Sequence, residues 1–164
     1  MPVDMSDPSG FNAYWEATLE RFRAEAIDDH LDGGNLDPVN DHVTGAVDQD
    51  SLASQYAFPV IWSVPSGHQP TYETVATDQG TIQVTVVVLA ADTDPDMAFQ
   101  KARTLAGRII NNVEGSALVD DSGRAHASRV DLDELIVDNR PVSGKGAQVK
   151  FAEIDFNIEV ERRY

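Results

Sequence analysis

Residues 81–115 constrain the fold most, because a two-residue hydrophobic period there gives way directly to a helical period of about 3.6. Ile82, Val84, Val86 and Val88 alternate with Thr81, Gln83, Thr85 and Val87, the pattern of a strand with one face in a core. Ala90 and Ala91 lead into Asp92-Thr93-Asp94-Pro95-Asp96. Asp94 suits a helix N-cap, since its carboxylate can accept the free N–H groups of the first turn. Pro95 suits the next position, where a missing N–H costs nothing, and Asp96 complements the positive end of the helix dipole. Ala98, Ala102, Leu105, Ala106, Ile109, Ile110 and Val113 then share one helical face, and Gly115 stands where a left-handed cap would end the run.

The flanking chain extends this unit. Asp7-Pro8 signals a helix start, and Phe11, Trp15, Leu19, Phe22 and Ala26 keep helical spacing until the pattern fades near Asp28-Asp29-His30. Residues 1–10 are an N-terminal segment to a single domain over 1–164. Residues 32–55 are rich in Gly, Asp and Asn and predict an acidic surface arm that orders against a neighbour, with Val43, Thr44, Gly45, Ala46 and Val47 as a short edge strand. Phe58, Val60 and Trp62 mark a strand over 56–64, with Pro59 at its start or on an edge. Pro65-Ser66-Gly67 predicts a turn, residues 72–76 a short strand or extended link, and Asp78-Gln79-Gly80 a tight turn.

Beyond the second helix, residues 117–119 read as a short extended piece before the turn Asp120-Asp121-Ser122-Gly123. A strand follows over 127–137, with Val130, Leu132, Leu135 and Val137 inward and a change of phase at Asp133-Glu134 that predicts a bulge. A hairpin loop over 141–146 leads to a last strand over 149–160. Ile154, Phe156, Ile158 and Val160 alternate there, while Val149 and Phe151 fall out of phase and predict a second bulge. The element order implies an α+β fold: an antiparallel or mixed sheet of about four to five strands, with two main helices packed on it.

Composition narrows the function. At 164 residues and 41% hydrophobic content the chain is about one domain with a sizeable core. It has no cysteine, which removes disulfides, thiolate metal sites and cysteine nucleophiles. No apolar run approaches the roughly 20 residues of a membrane span, and the acidic N-terminus lacks the features of a signal peptide, so a cytoplasm or a particle assembled there is the expected location. Asp plus Glu number 28 against 12 Lys plus Arg, a formal net charge of −16. The acids run along the whole chain, which favours a surface suited to multimolar salt over one acidic block for a basic partner. The pattern resembles proteins of haloarchaea and their viruses. Sequence-independent DNA binding, which needs clustered Lys and Arg, is not expected.

Motifs of catalysis and ligand binding are weak. His30, His42, His68 and His126 fall in predicted loops at wide spacing, without the i, i+4 pairing of a metal helix. Asp92-Thr93-Asp94-Pro95-Asp96 opens like a calcium loop but has Met97 in place of its glycine and Arg103 in place of its glutamate. Ser143-Gly144-Lys145-Gly146 lacks the upstream glycine and the hydroxyl residue of a phosphate loop, and Ser122 with His126 lacks a strand–turn–helix setting. No catalytic, cofactor or metal residues are assigned. One patch stands out: Lys101, Arg103 and Arg108, with Gln100, Asn111 and Asn112, on the solvent side of the second helix. Helix-dipole complementation with ordinary solubility is one explanation. A contact with an acidic patch on the next identical subunit is the other.

The run Val43, Thr44, Gly45, Ala46, Val47, the phrase Tyr56-Ala57-Phe58-Pro59-Val60-Ile61, the alternating strand, the Pro95 helix and the closing Phe156-Asn157-Ile158-Glu159-Val160 together resemble the tail-terminator (tail-completion, minor tail) proteins of long-tailed viruses. The likeness covers residues 11–160 and rests on element order and short apolar phrases. It implies a small α+β subunit forming a hexameric ring on the last ring of the tail tube, where it stops tube growth and meets the neck of the capsid. It also implies the partners: further copies of the chain, the tail tube protein, the neck or head-completion protein, and genome DNA passing through the lumen unbound. No cofactor and no catalytic residue comes with it. The long acidic arm and the net charge depart from common members of the family. A tail tube or neck adaptor protein, and a small halophilic ligand-binding domain, are the rival readings.

Overall fold

A computed structural model describes residues 11–45, 57–72, 77–114, 118, 129–138 and 149–163. Helix α1 spans Phe11–Ala26 and is followed by a 3-10 turn, Asp28–His30. The strands are β1 (Asp41–Thr44), β2 (Val60–Tyr72), β3 (Thr77–Ala91), β4 (Arg129–Asp138) and β5 (Val149–Arg163), and helix α2 (Pro95–Val113) lies between β3 and β4. They form one sheet in the order β1-β2-β3-β5-β4, with β1 parallel to β2 and every other pair antiparallel. This is the α+β, mixed-sheet architecture read from the sequence.

The core forms where the two periods meet. Ile82, Val84, Val86 and Val88 of β3 and Ile154, Phe156 and Ile158 of β5 present one face to Leu19, Phe22 and Ala26 of α1 and to the apolar stripe of α2. All seven residues expected on that stripe are buried. The Phe22 and Phe156 rings meet edge to face, with centroids 5.3 Å apart. Asp94 caps α2 as anticipated: its backbone is extended and its carboxylate accepts the Asp96 N–H at 3.0 Å.

Several expectations need correction. Pro65-Ser66-Gly67 does not turn the chain; β2 runs on to Tyr72, absorbing a register shift between Pro65 and Gly67. Among the described residues, β1 reaches only as far as Ser63. From Val64 onward β2 is therefore a sheet edge, which tolerates the missing donors of Pro65 and Pro70. Asp78, Gln79 and Gly80 likewise belong to β3, paired on both sides. The bulge expected near Val149 and Phe151 is absent, since the β3–β5 ladder is unbroken from Thr77↔Arg163 to Ala91↔Val149. Those residues are out of phase because they face the other side of the sheet. There a second apolar cluster gathers Val60, Val87, Leu89 and Val149, with Trp62 and Phe151 half-buried beside it. The β4 bulge is present, between Leu132 and Glu134. Leu135 lies opposite buried Ile154 on the core side, yet stays 39% exposed because β4 is the edge of the sheet.

The expected surface arm is anchored over its described part, residues 32–45. Leu36 and Val39 are buried in the main core, and Asn40 bonds to the carbonyls of Pro59 and Phe58. Gly33 (φ 73°) and Gly34 make this path feasible; a Cβ at Gly34 would sit 2.5 Å from the His30 carbonyl oxygen. The edge strand begins at Asp41, ahead of Val43, and the Trp62 indole donates to the Gly45 carbonyl at 2.6 Å. His42 and His68 are in strands, not loops. Asp7-Pro8, Gly115, the turn at 120–123, His126 and the 141–146 loop lie outside the described residues.

Candidate subunit-contact surface

The three cations expected to form one patch leave α2 in two directions. At 3.6 residues per turn, Lys101 and Arg108 share a flank, while Arg103 lies about 160° round the helix from Lys101. Lys101 Nζ is 2.7 Å from Asp92 Oδ2, and Asp92 Oδ1 accepts the Asp94 N–H at 3.0 Å. The Lys101 bond, then the Asp94 amide, hold the Asp92 carboxyl below its ordinary range. This arrangement locks the joint between β3 and α2.

Arg108 Nη1 donates to the Asn35 carbonyl at 2.9 Å. One turn on, Asn112 and Asn35 exchange amide hydrogen bonds of 2.7 and 3.2 Å, and Asn112 Nδ2 also donates to the Ala26 carbonyl at 3.0 Å. The last bond satisfies a carbonyl left open at the end of α1. This flank thus fastens the connection from α1 to β1, a use that the sequence did not signal across a separation of 77 positions. Arg103 differs. Its guanidinium lies 5.9 Å from the centre of the Phe99 ring, is exposed, and pairs with no carboxylate among the described residues. Of the three, Arg103 is the cation with neither a hydrogen bond nor an ion pair among the described residues.

The far face of the sheet, away from both helices, has the opposite charge. Register places Asp131 and Glu134 of β4 and Glu153, Asp155 and Glu159 of β5 on that face. Glu134 stands directly opposite Asp155, a like-charge cross-strand pair that costs stability. Burial, then the neighbouring Asp155 and Glu134 carboxylates, push Glu153 above its ordinary range. Thr85 Oγ1 donates to Asp155 at 2.7 Å, and Arg129 Nε pairs with Asp131 at 2.6 Å.

A third cluster was missed by the sequence reading. His42 Nδ1 is 2.7 Å from Asp28 Oδ1, and His42 Nε2 is 2.7 Å from Ser63 Oγ. The Asp28 carboxylate can only accept, so Nδ1 carries the proton and Nε2 accepts from the Ser63 hydroxyl. The order of groups is that of a hydrolase triad. Ser63, however, is fully buried on a mid-sheet strand, leaving no approach for a substrate carbonyl. The cluster ties β1 and β2 to the 3-10 turn. Burial pushes the His42 imidazole below its ordinary value, against the pull of Asp28 and with a smaller push from Arg23. Among the described residues, no group of three or more His, Asp or Glu could hold a metal ion, and no helix is long and apolar enough to cross a membrane.

No protein-family model matches the sequence, and no curated protein matches it. Solved structures do match. One is a chain from the virion of a native gene transfer agent (GTA) particle, 17% identical, covering 88% of this chain and 91% of that one, with a TM-score of 0.57. At this identity the two chains share a fold, an α+β layer that in one case is part of a virion.

Proposed function

We propose that the chain is a structural protein of a virus or virus-like particle, and specifically a tail terminator. In this reading, copies form a hexameric ring on the end of the tail tube, stop its polymerisation and join it to the neck. The protein carries out no catalysis and needs no cofactor. The observation that supports the reading most is the likeness of fold to a GTA virion chain, which spans nearly the full length of both proteins. The net charge of −16 is compatible with a channel through which DNA passes without binding, and with a particle assembled in a haloarchaeal cytoplasm.

Light scattering of the purified protein in multimolar KCl and in low salt tests the reading. A discrete species near six subunits is the expected result. Open-ended polymers would point instead to a tail tube protein. A monomer at both salts that also fails to bind isolated tail tubes would refute a terminator.

A further inference from the structure

We infer that the outward face of α2 in one copy docks on the acidic far face of β4 and β5 in the next copy. The inference rests on the ring reading above and names the two surfaces that would build the ring.

Three observations carry it. The first is placement. α2 lies on the core side of the sheet, whereas Glu134, Glu153 and Asp155 are in register on the far side, so the two surfaces are opposite faces of one layer. Opposite faces that complement each other make head-to-tail contacts, which close into a ring when the rotation permits. The second is charge. Residues 97–113 contain Lys101, Arg103 and Arg108 and no acid, in a chain where acids outnumber bases 28 to 12. Arg103 is held over Phe99 without a carboxylate partner among the described residues. On the far face, Asp131 already has Arg129 and Asp155 has Thr85, while Glu134 and Glu153 have no cation beside them among the described residues. A guanidinium placed there would offset the like-charge repulsion of the Glu134–Asp155 pair. The third is apolar surface. Among the described residues the exposed large hydrophobics are Met97, Leu135 and Ile136. Met97 belongs to α2, one turn before Lys101, and Ile136 stands opposite Glu153 on the far face, so each of the two elements carries an exposed apolar group.

The absence of cysteine makes the test clean. Met97→Cys and Ile136→Cys are introduced together, and the protein is oxidised at assembly concentration in the full chain. One cysteine lies outside the helix layer and the other outside the sheet. A disulfide requires Cα atoms within about 7 Å, so a 97–136 bond can join only two copies. The expected result is a ladder of covalent oligomers that neither single variant forms. Arg103→Glu should weaken association roughly tenfold, and Glu134→Arg should restore it in the double variant. A ring-sized mass without the 97–136 disulfide would overturn this contact and leave the ring reading standing, and would fit an acidic face that lines the channel instead. Dimers from either single-cysteine variant would mean a like-to-like contact and would also overturn it. The ladder appearing without any ring-sized species would support the contact and refute the ring.

Discussion

Acidification should loosen the fold through His42 at a pH where few carboxylates titrate. The His42 side chain is 4% exposed and holds two bonds, to Asp28 and to Ser63. In the unfolded chain it takes up a proton near pH 6.5, whereas burial lowers its pKa in the folded state. Between these two values the unfolded state binds more protons, so stability falls as pH drops below about 6.5, and the fall stops once the folded imidazole is also protonated. The slope from one proton cannot exceed about 1.4 kcal/mol per pH unit. At neutral pH, His42→Leu should cost about 1–3 kcal/mol, mainly because the fully buried Ser63 hydroxyl loses its partner. Asp28, about half exposed, adds little, since water replaces the bond. Adding Ser63→Ala should recover part of the loss, because no unpaired hydroxyl then remains. Urea unfolding at fixed KCl, from pH 7.5 to 5.0, measures all three proteins, and subtracting His42→Leu from the unsubstituted chain removes the contribution of other groups. If the unsubstituted chain loses no more stability than His42→Leu over that range, His42 is not buried in its neutral form and the reasoning fails.

Three further outcomes follow from the packing. Phe22→Ala and Phe156→Ala should each cost about 3–5 kcal/mol, and a double-mutant cycle should show about 0.5–1.5 kcal/mol of coupling from the edge-to-face contact; purely additive losses would exclude a direct ring interaction. Asp94→Ala should lower stability by about 0.5–2 kcal/mol and Asp94→Ser by much less, as thermal melts can show, because the cap needs only one side-chain oxygen. Asn112→Ala should cost about 1–2 kcal/mol and raise amide exchange over residues 31–37, since it removes the bonds to Asn35 and to the end of α1; unchanged exchange there would mean that the flank of α2 does not hold this segment.

Which features the sequence disclosed depended on whether they are local. The α2 stripe, its Asp94 cap and the β4 bulge each have their cause within a few residues, and a period or a phase change records them. β3 and β5 were harder because both of their faces are apolar at one end. Val86, Val87, Val88, Leu89 and Ala90 are all buried, so the run has no phase, and Val149 and Phe151 looked like a slip when they simply face the second cluster. β2 was cut short because proline and glycine signal turns, and only the position of β2 at a sheet edge makes them tolerable within a strand. The Asp28–His42–Ser63 cluster and the contact of Asn35 with Asn112 were out of reach. They span 14, 21 and 77 positions and exist only once the parallel β1–β2 pairing and the helix layer bring them together.

Charge acts on assembly at two distances, and salt separates them. Each copy carries a net −16, so copies repel over tens of ångströms, well beyond the Debye length of about 3 Å at 1 M. A pairing of Arg103 with Glu134 acts at hydrogen-bond distance, about as far as that screening length, and is only partly weakened. Raising KCl should therefore remove the repulsion first and promote association, while the penalty of Arg103→Glu shrinks without vanishing. Sedimentation of both proteins from low to multimolar KCl would show two rising curves, with that of Arg103→Glu displaced to higher protein concentration throughout. Curves that coincide above 1 M would mean that association at high salt is purely apolar and does not use Arg103. Association that falls steadily with salt would mean that attraction between opposite charges outweighs the net repulsion, and the account of this acidic surface would be wrong.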